Sequence, residues 1–167
     1  MTRHKVFGNP QGAKVFPIRD FLGEHMPSGR EGFVIEDLDW NIVAPEEAQL
    51  LVVRRFGDRY GLDATGEFLI GEFKHRPNLF TDLEPAQKRT FELIDEQCRL
   101  GDLYRADHSQ PSRYCGFYVI AYNQQQPGPD TRWRIRRLNS PGSRSEEMAW
   151  SEFSNWLQVV HIGGEAA

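Results

Sequence analysis

The stretch EFLIGEFKHRP, residues 67–77, limits the possible folds more than any other part of the chain. Side chains alternate across a β-strand, so Phe68, Ile70, Glu72 and Lys74 share one face while Leu69, Gly71 and Phe73 share the other. Both faces begin apolar, which predicts a strand buried on both sides. Yet a carboxylate and an ammonium close the face that two core residues began. A buried charge is costly unless it is paired, hydrogen-bonded or bound to a metal. A salt bridge where the strand leaves the core is the simple explanation, and a metal site is the sharper one.

The neighbouring segments frame this strand. Residues 17–26, PIRDFLGEHM, suit a short helix bracketed by Pro17 and Pro27. Residues 32–44 read as a strand that turns acidic, with Asp37, Asp39 and Asn41 on one face, and residues 50–57 read as a second strand. The clearest helix is predicted over residues 81–101, with Thr81 and Glu84 in a capping-box pattern, Pro85 in the first turn and Gly101 at the stop. Gln87, Phe91, Ile94 and Cys98 form its core-facing stripe. Residues 114–123 and 132–139 read as two further strands, and residues 145–160 as a last helix presenting Ala149, Phe153, Trp156, Leu157 and Val160. This order predicts an α/β chain with a mixed central sheet flanked by helices rather than a doubly wound parallel fold.

Length and composition agree with one soluble domain. The chain has 167 residues, 39% hydrophobic and 26% charged, and its N-terminal residues carry no apolar run of signal-peptide or membrane-span length. The expected location is the cytoplasm, where Cys98 and Cys115 would remain buried thiols. The five histidines are scattered, no zinc spacing is present, and neither a G-x-S-x-G nor a phosphate-cradling G-x-x-x-x-G-K-[ST] occurs. A net charge of −4 argues against nucleic-acid binding by bulk attraction alone. The distribution is uneven, however: residues 23–40 are acid-rich, and RWRIRRL at 132–138 holds four arginines and no acid. An acidic cluster beside a basic strip suits a divalent cation held next to a polyanion. It equally suits two unrelated surface patches.

A helix, an antiparallel three-strand meander, a helix and a strand, carrying Asp39, then Glu72-Phe73-Lys74, then Gln87, resembles the core of the PD-(D/E)XK nuclease superfamily over roughly residues 17–123. The resemblance implies an αβββαβ core, to which residues 124–160 add a hairpin and a helix. It also implies a Mg²⁺-dependent nuclease acting on DNA, with Mn²⁺ as a substitute metal, of the kind found in phages or mobile elements. In that family the acids hold the metal, the lysine orients and activates water, and the glutamine supports the site. Catalytic roles would then fall to Asp39, Glu72, Lys74 and Gln87, and metal ligation to Asp39, Glu72 and the Phe73 backbone carbonyl.

The pattern departs from the family in one place, since Leu38 rather than proline precedes Asp39. Asp37 shares a face with Asp39 and is the alternative ligand. Glu24 could supply a further acid, although a solvated helix surface accounts for it as well. His75 and Arg76 would emerge at the rim, and Arg132, Arg134 and Arg136 alternate on one strand face that could track a nucleic-acid backbone. A solvated edge-strand face explains the same three arginines. Trp133, on the opposite face, is expected in the core. Two rival functions remain: a binding module that keeps the fold without catalysis, and a small acidic interaction or inhibitor protein with a protein partner.

Overall fold

The computed structural model describes residues 17–26, 32–38, 47–55, 66–140, 142 and 144–161. Within them, β1 (Phe33–Asp37), β2 (Ala48–Arg55), β3 (Glu67–His75), β4 (Tyr114–Tyr122) and β5 (Trp133–Arg137) form one open sheet in the order β1-β2-β3-β4-β5. The helices are α1 (Pro17–His25), α2 (Pro85–Asp107) and α3 (Trp150–His161). The pairs β1·β2, β2·β3 and β4·β5 are antiparallel, whereas β3·β4 is parallel and crosses over through α2. The expected mixed sheet with flanking helices is therefore the observed fold. No helix among the described residues is long and apolar enough to cross a membrane.

Two clusters cover the two faces of the sheet. On one side Ile18, Leu22 and Met26 of the α1 region and Phe153, Leu157 and Val160 of α3 pack on Leu51, Val53, Leu69, Phe73, Ile120, Tyr122 and Trp133. On the other, Phe91 of α2 packs on Ile70, Phe117, Val119 and Leu138, with Ile94 and Cys98 partly buried beside them. The strand read from residues 67–77 is thus covered on both sides, and Trp133 is fully buried as expected. Gly71 is needed where it stands, since a Cβ there would meet the Phe73 ring at 2.8 Å. Gly116, at φ +123°, lies where the β3–β4 register shifts by one residue, between the pairs Phe68↔Tyr114 and Ile70↔Phe117. The shift keeps both Tyr114 and Phe117 on the α2 side despite their odd spacing.

Three helix ends differ most from the sequence reading. The capping box does not form: α2 begins at Pro85 with Glu84 as N-cap, and Glu84 makes no side-chain capping bond. Thr81 is instead held by its carbonyl, which accepts from Arg136 Nη2 at 2.9 Å and Nε at 3.3 Å, so β5 fixes the chain ahead of the helix. Nor does Gly101 stop α2. The helix continues to Asp107 because Asp102, inside it, accepts the Arg113 backbone N–H at 2.9 Å and ties the last turns to the start of β4. Finally, α3 starts at Trp150 rather than 145, where Glu152 Oε1 accepts the Ala149 N–H at 2.8 Å and caps the first turn.

Candidate functional site

The central strand carries its charges inward. Glu72 and Lys74 are 3% and 4% exposed. They lie on the α2 side of the sheet, where the register opposes Glu72 to Leu50 and Val119, and Lys74 to Ala48 and Ala121. The next strand extends both rows, because Val119 pairs with Arg136 and Ala121 with Arg134. Two rungs therefore cross this face, Leu50–Glu72–Val119–Arg136 and Ala48–Lys74–Ala121–Arg134.

Partners arrive from α2. Gln87 Nε2 donates to Glu72 Oε2 at 3.2 Å, so the glutamine reaches the strand carboxylate as expected. Burial lowers the Lys74 pKa from the ordinary 10.5 and the Arg76 charge lowers it further, while Glu72 and Glu84 oppose the shift. Glu84 is a participant that the sequence reading treated only as part of a cap. The available signal was its position three residues before Gln87, one helical turn away.

The other expected residues are distributed as follows. Asp37 is paired with Leu51, which belongs to the opposite core cluster, so its carboxylate faces α1 and not Glu72. There it accepts from Gln49 Nε2 at 3.4 Å, while Gln49 Oε1 accepts the Ile18 and Arg19 N–H groups, both at 3.2 Å. This bonding explains why an amide is fully buried and corrects the grouping of Asp37 with Glu72. Asp39 lies outside the described residues. Phe73 pairs with Gln49 on one side and Ile120 on the other, which puts its carbonyl in the plane of the sheet among ladder bonds. Its side chain belongs to the α1–α3 core. Glu24 is exposed on α1.

The basic residues divide as well. His75 pairs with Tyr122 on the α1–α3 side, with ring centroids 5.7 Å apart, so it points away from Lys74. Arg76 follows the strand end and donates from Nη1 to the His75 carbonyl at 2.7 Å. Arg132 forms a 3.0 Å ion pair with Glu147 at the surface. Arg134 is half-buried, and its Nε is buried without a hydrogen-bond partner. Arg136 is only 5% exposed, so a solvated edge does not explain it.

Nucleophilic cysteine chemistry has no support. Both thiols are half-buried rather than fully buried. Burial pushes the Cys98 thiol up, with Asp95 and Asp102 adding to the shift, and pushes Cys115 up to about 12. A second polar cluster on α2 was not anticipated: Asp95, 4% exposed, accepts from Tyr114 Oη at 2.6 Å, from Arg99 Nε at 3.0 Å and from Asn139 Nδ2. This carboxylate accepts from three side chains and joins α2 to β4 and to the turn after β5.

A divalent cation needs several oxygen ligands. Among the described residues no three of His, Cys, Asp or Glu stand close enough to hold a metal ion, and of the expected side-chain ligands Glu72 lies on the α2 side of the sheet while Asp37 does not. A complete donor set would need Asp39, which lies outside the described residues. Compared with models of protein families, with curated proteins and with solved structures, the chain matches none.

Proposed function

We propose that this chain is a Mg²⁺-dependent nuclease that hydrolyses phosphodiester bonds of DNA at the end of β3. The observation that carries the reading is the buried Glu72, bonded by the half-buried Gln87, on the same strand face as a buried Lys74. Its support is the order of elements, a helix, an antiparallel meander, a crossover helix and a parallel fourth strand, which is what the resemblance implies. In this reading Glu72 and Asp39 would hold the cation, which requires that Asp39, beyond the end of β1 at Asp37, not keep Asp37's side of the sheet, and Gln87 would fix the rotamer of the Glu72 carboxylate. Bound Mg²⁺, or Mn²⁺ in its place, supplies positive charge at the phosphodiester and acidifies water. Lys74, made easier to deprotonate by burial, sits where it can accept a proton from an attacking water or contact the scissile phosphate. Arg76 acts on Lys74 from the strand end, and Arg134 stands two strands away on the same rung; both would contact the DNA backbone in this reading.

A second reading is a DNA-binding module on the same fold without catalysis. It is favoured by Asp37 facing away from Glu72. An acidic interaction protein with an accidental E-x-K fits less well, because that reading calls for exposed Glu72 and Lys74.

Cleavage of single- and double-stranded DNA, measured beside Mn²⁺ binding, separates these functions. Lys74→Ala should keep cation affinity, since a nearby positive charge is removed, and should cut about 100-fold more slowly or worse. Glu72→Ala and Asp39→Ala should lose both. A folded Lys74→Ala protein that cuts as fast as wild type refutes the assigned role. A wild-type protein that binds DNA without cutting it, and whose melting temperature ignores millimolar Mn²⁺, supports the binding module instead.

A further inference from the structure

We propose that a pocket on the α2 side of β5, lined by Thr81, Asp82, Leu83, Lys88, Arg136 and Arg144, binds the phosphate group of a phosphate ester. The pocket is distinct from the Glu72–Lys74 pair, and it stands whether or not the protein cuts DNA. Its volume of about 290 Å³ lies at the lower end of the range for small-ligand sites, enough for a phosphate together with part of what it esterifies.

Three observations point to an anion. The lining holds three cations, Lys88, Arg136 and Arg144, against the single carboxylate of Asp82. Lys88 is shared with Glu92 at 3.1 Å on the exposed side of the helix, an ion pair that holds its ammonium loosely near solvent. Second, Arg136 is buried, and a guanidinium has five N–H donors, so the two spent on the Thr81 carbonyl leave others for the pocket. Burial lowers the Arg136 pKa; Asp82 opposes this shift and the Arg144 charge adds to it. That repulsion is relieved when an anion enters between the two arginines.

The third observation is the hydroxyl of Thr81. Thr81 is 1% exposed, lines the pocket, and its Oγ1 has no hydrogen-bond partner. A buried hydroxyl in that state is a donor waiting for an acceptor. An oxyanion accepts from the hydroxyl and from the cations together, which neither Leu83 nor a second cation could do.

Isothermal titration with inorganic phosphate tests the site directly, with sodium chloride at matched ionic strength as the control. Wild type should bind phosphate, and Arg144→Gln and Lys88→Gln should each weaken binding about tenfold or more, the scale of one charge-assisted hydrogen bond. Thr81→Val removes the unsatisfied hydroxyl without changing the shape, so it should keep the melting temperature while weakening phosphate several-fold. Equal affinity in wild type, Arg144→Gln and Lys88→Gln overturns the proposal, as does the absence of phosphate binding at millimolar concentration. A short oligonucleotide with and without a terminal phosphate then identifies the source. Tighter binding of the phosphorylated form, lost in Arg144→Gln, assigns the pocket to a nucleic-acid end, whereas competition by a free phosphomonoester alone assigns it to a small metabolite.

Discussion

The two faces of one sheet follow different rules. Toward α1 and α3 the sheet is closed by aromatic rings: Trp133 stacks on Phe153 with centroids 4.5 Å apart and planes 5° from parallel, and Trp150, Trp156 and Tyr122 surround them. Toward α2 the same strands start apolar, with Ile70, Phe117 and Val119, and then bury Glu72, Lys74 and Arg136. Each buried charge on that face has a defined neighbour: Gln87 for Glu72, Glu72 and Glu84 for Lys74, and the Thr81 carbonyl for Arg136. The aromatic face holds the fold together, and there the buried Gln49 amide is spent on Asp37 and on the Ile18 and Arg19 N–H groups. The α2 face gives up some of that apolar closure to keep polar groups dry and fixed in place.

Breaking the aromatic face should have the largest effect. Phe153→Ala removes a fully buried ring from a stack and should cost about 3–5 kcal/mol, read as a lower denaturant midpoint. A loss under about 1 kcal/mol would mean that the face can repack and is not the main stabilising layer. Gln49→Ala comes next, since it leaves the Ile18 and Arg19 N–H groups without their buried acceptor and should cost about 1–3 kcal/mol. The matching change on the other face, Gln87→Ala, removes one half-exposed amide from Glu72 and should cost about 1 kcal/mol in denaturant unfolding. If Gln87→Ala proved as costly as Gln49→Ala, the α2 face would be structural rather than a site.

The smallest effect concerns pH. The folded Lys74 pKa lies below the ordinary 10.5, so between the two values the unfolded chain binds more protons and stability rises with pH through that window. Lys74→Met removes the titrating group while keeping a long side chain. Its stability should exceed wild type most at neutral pH, and the advantage should shrink as pH approaches 10.5. Denaturation curves of both proteins across this range check the sign, and a difference that stays constant would show that burial does not penalise the ammonium.

Much of the fold was legible because its signals are local. The strand read at residues 67–77 is found at Glu67–His75, and the stripe of Gln87, Phe91, Ile94 and Cys98 does face the sheet. Asp37 was misplaced for a non-local reason. Alternation groups residues within one strand, but the side of the sheet they take depends on pairing with the next, and the Asp37↔Leu51 pair assigns Asp37 to the α1 face. Thr81 and Glu84 fit a capping box by spacing alone, but the helix starts at Pro85, and an arginine 55 residues later holds the Thr81 carbonyl.

The sequence by itself determined which residues alternate together, where apolar stripes run and how the elements follow one another, because periods of two and 3.6 depend on near neighbours only. The tertiary structure decided that Glu72 meets Gln87, that Arg134 and Arg136 stand on the rungs of Lys74 and Glu72, and that Asp37 does not join them. Those outcomes follow from strand register and from the parallel crossover of α2. Register is a choice among distant pairings, and a shift of one residue would have exchanged every one of these side chains between the two faces.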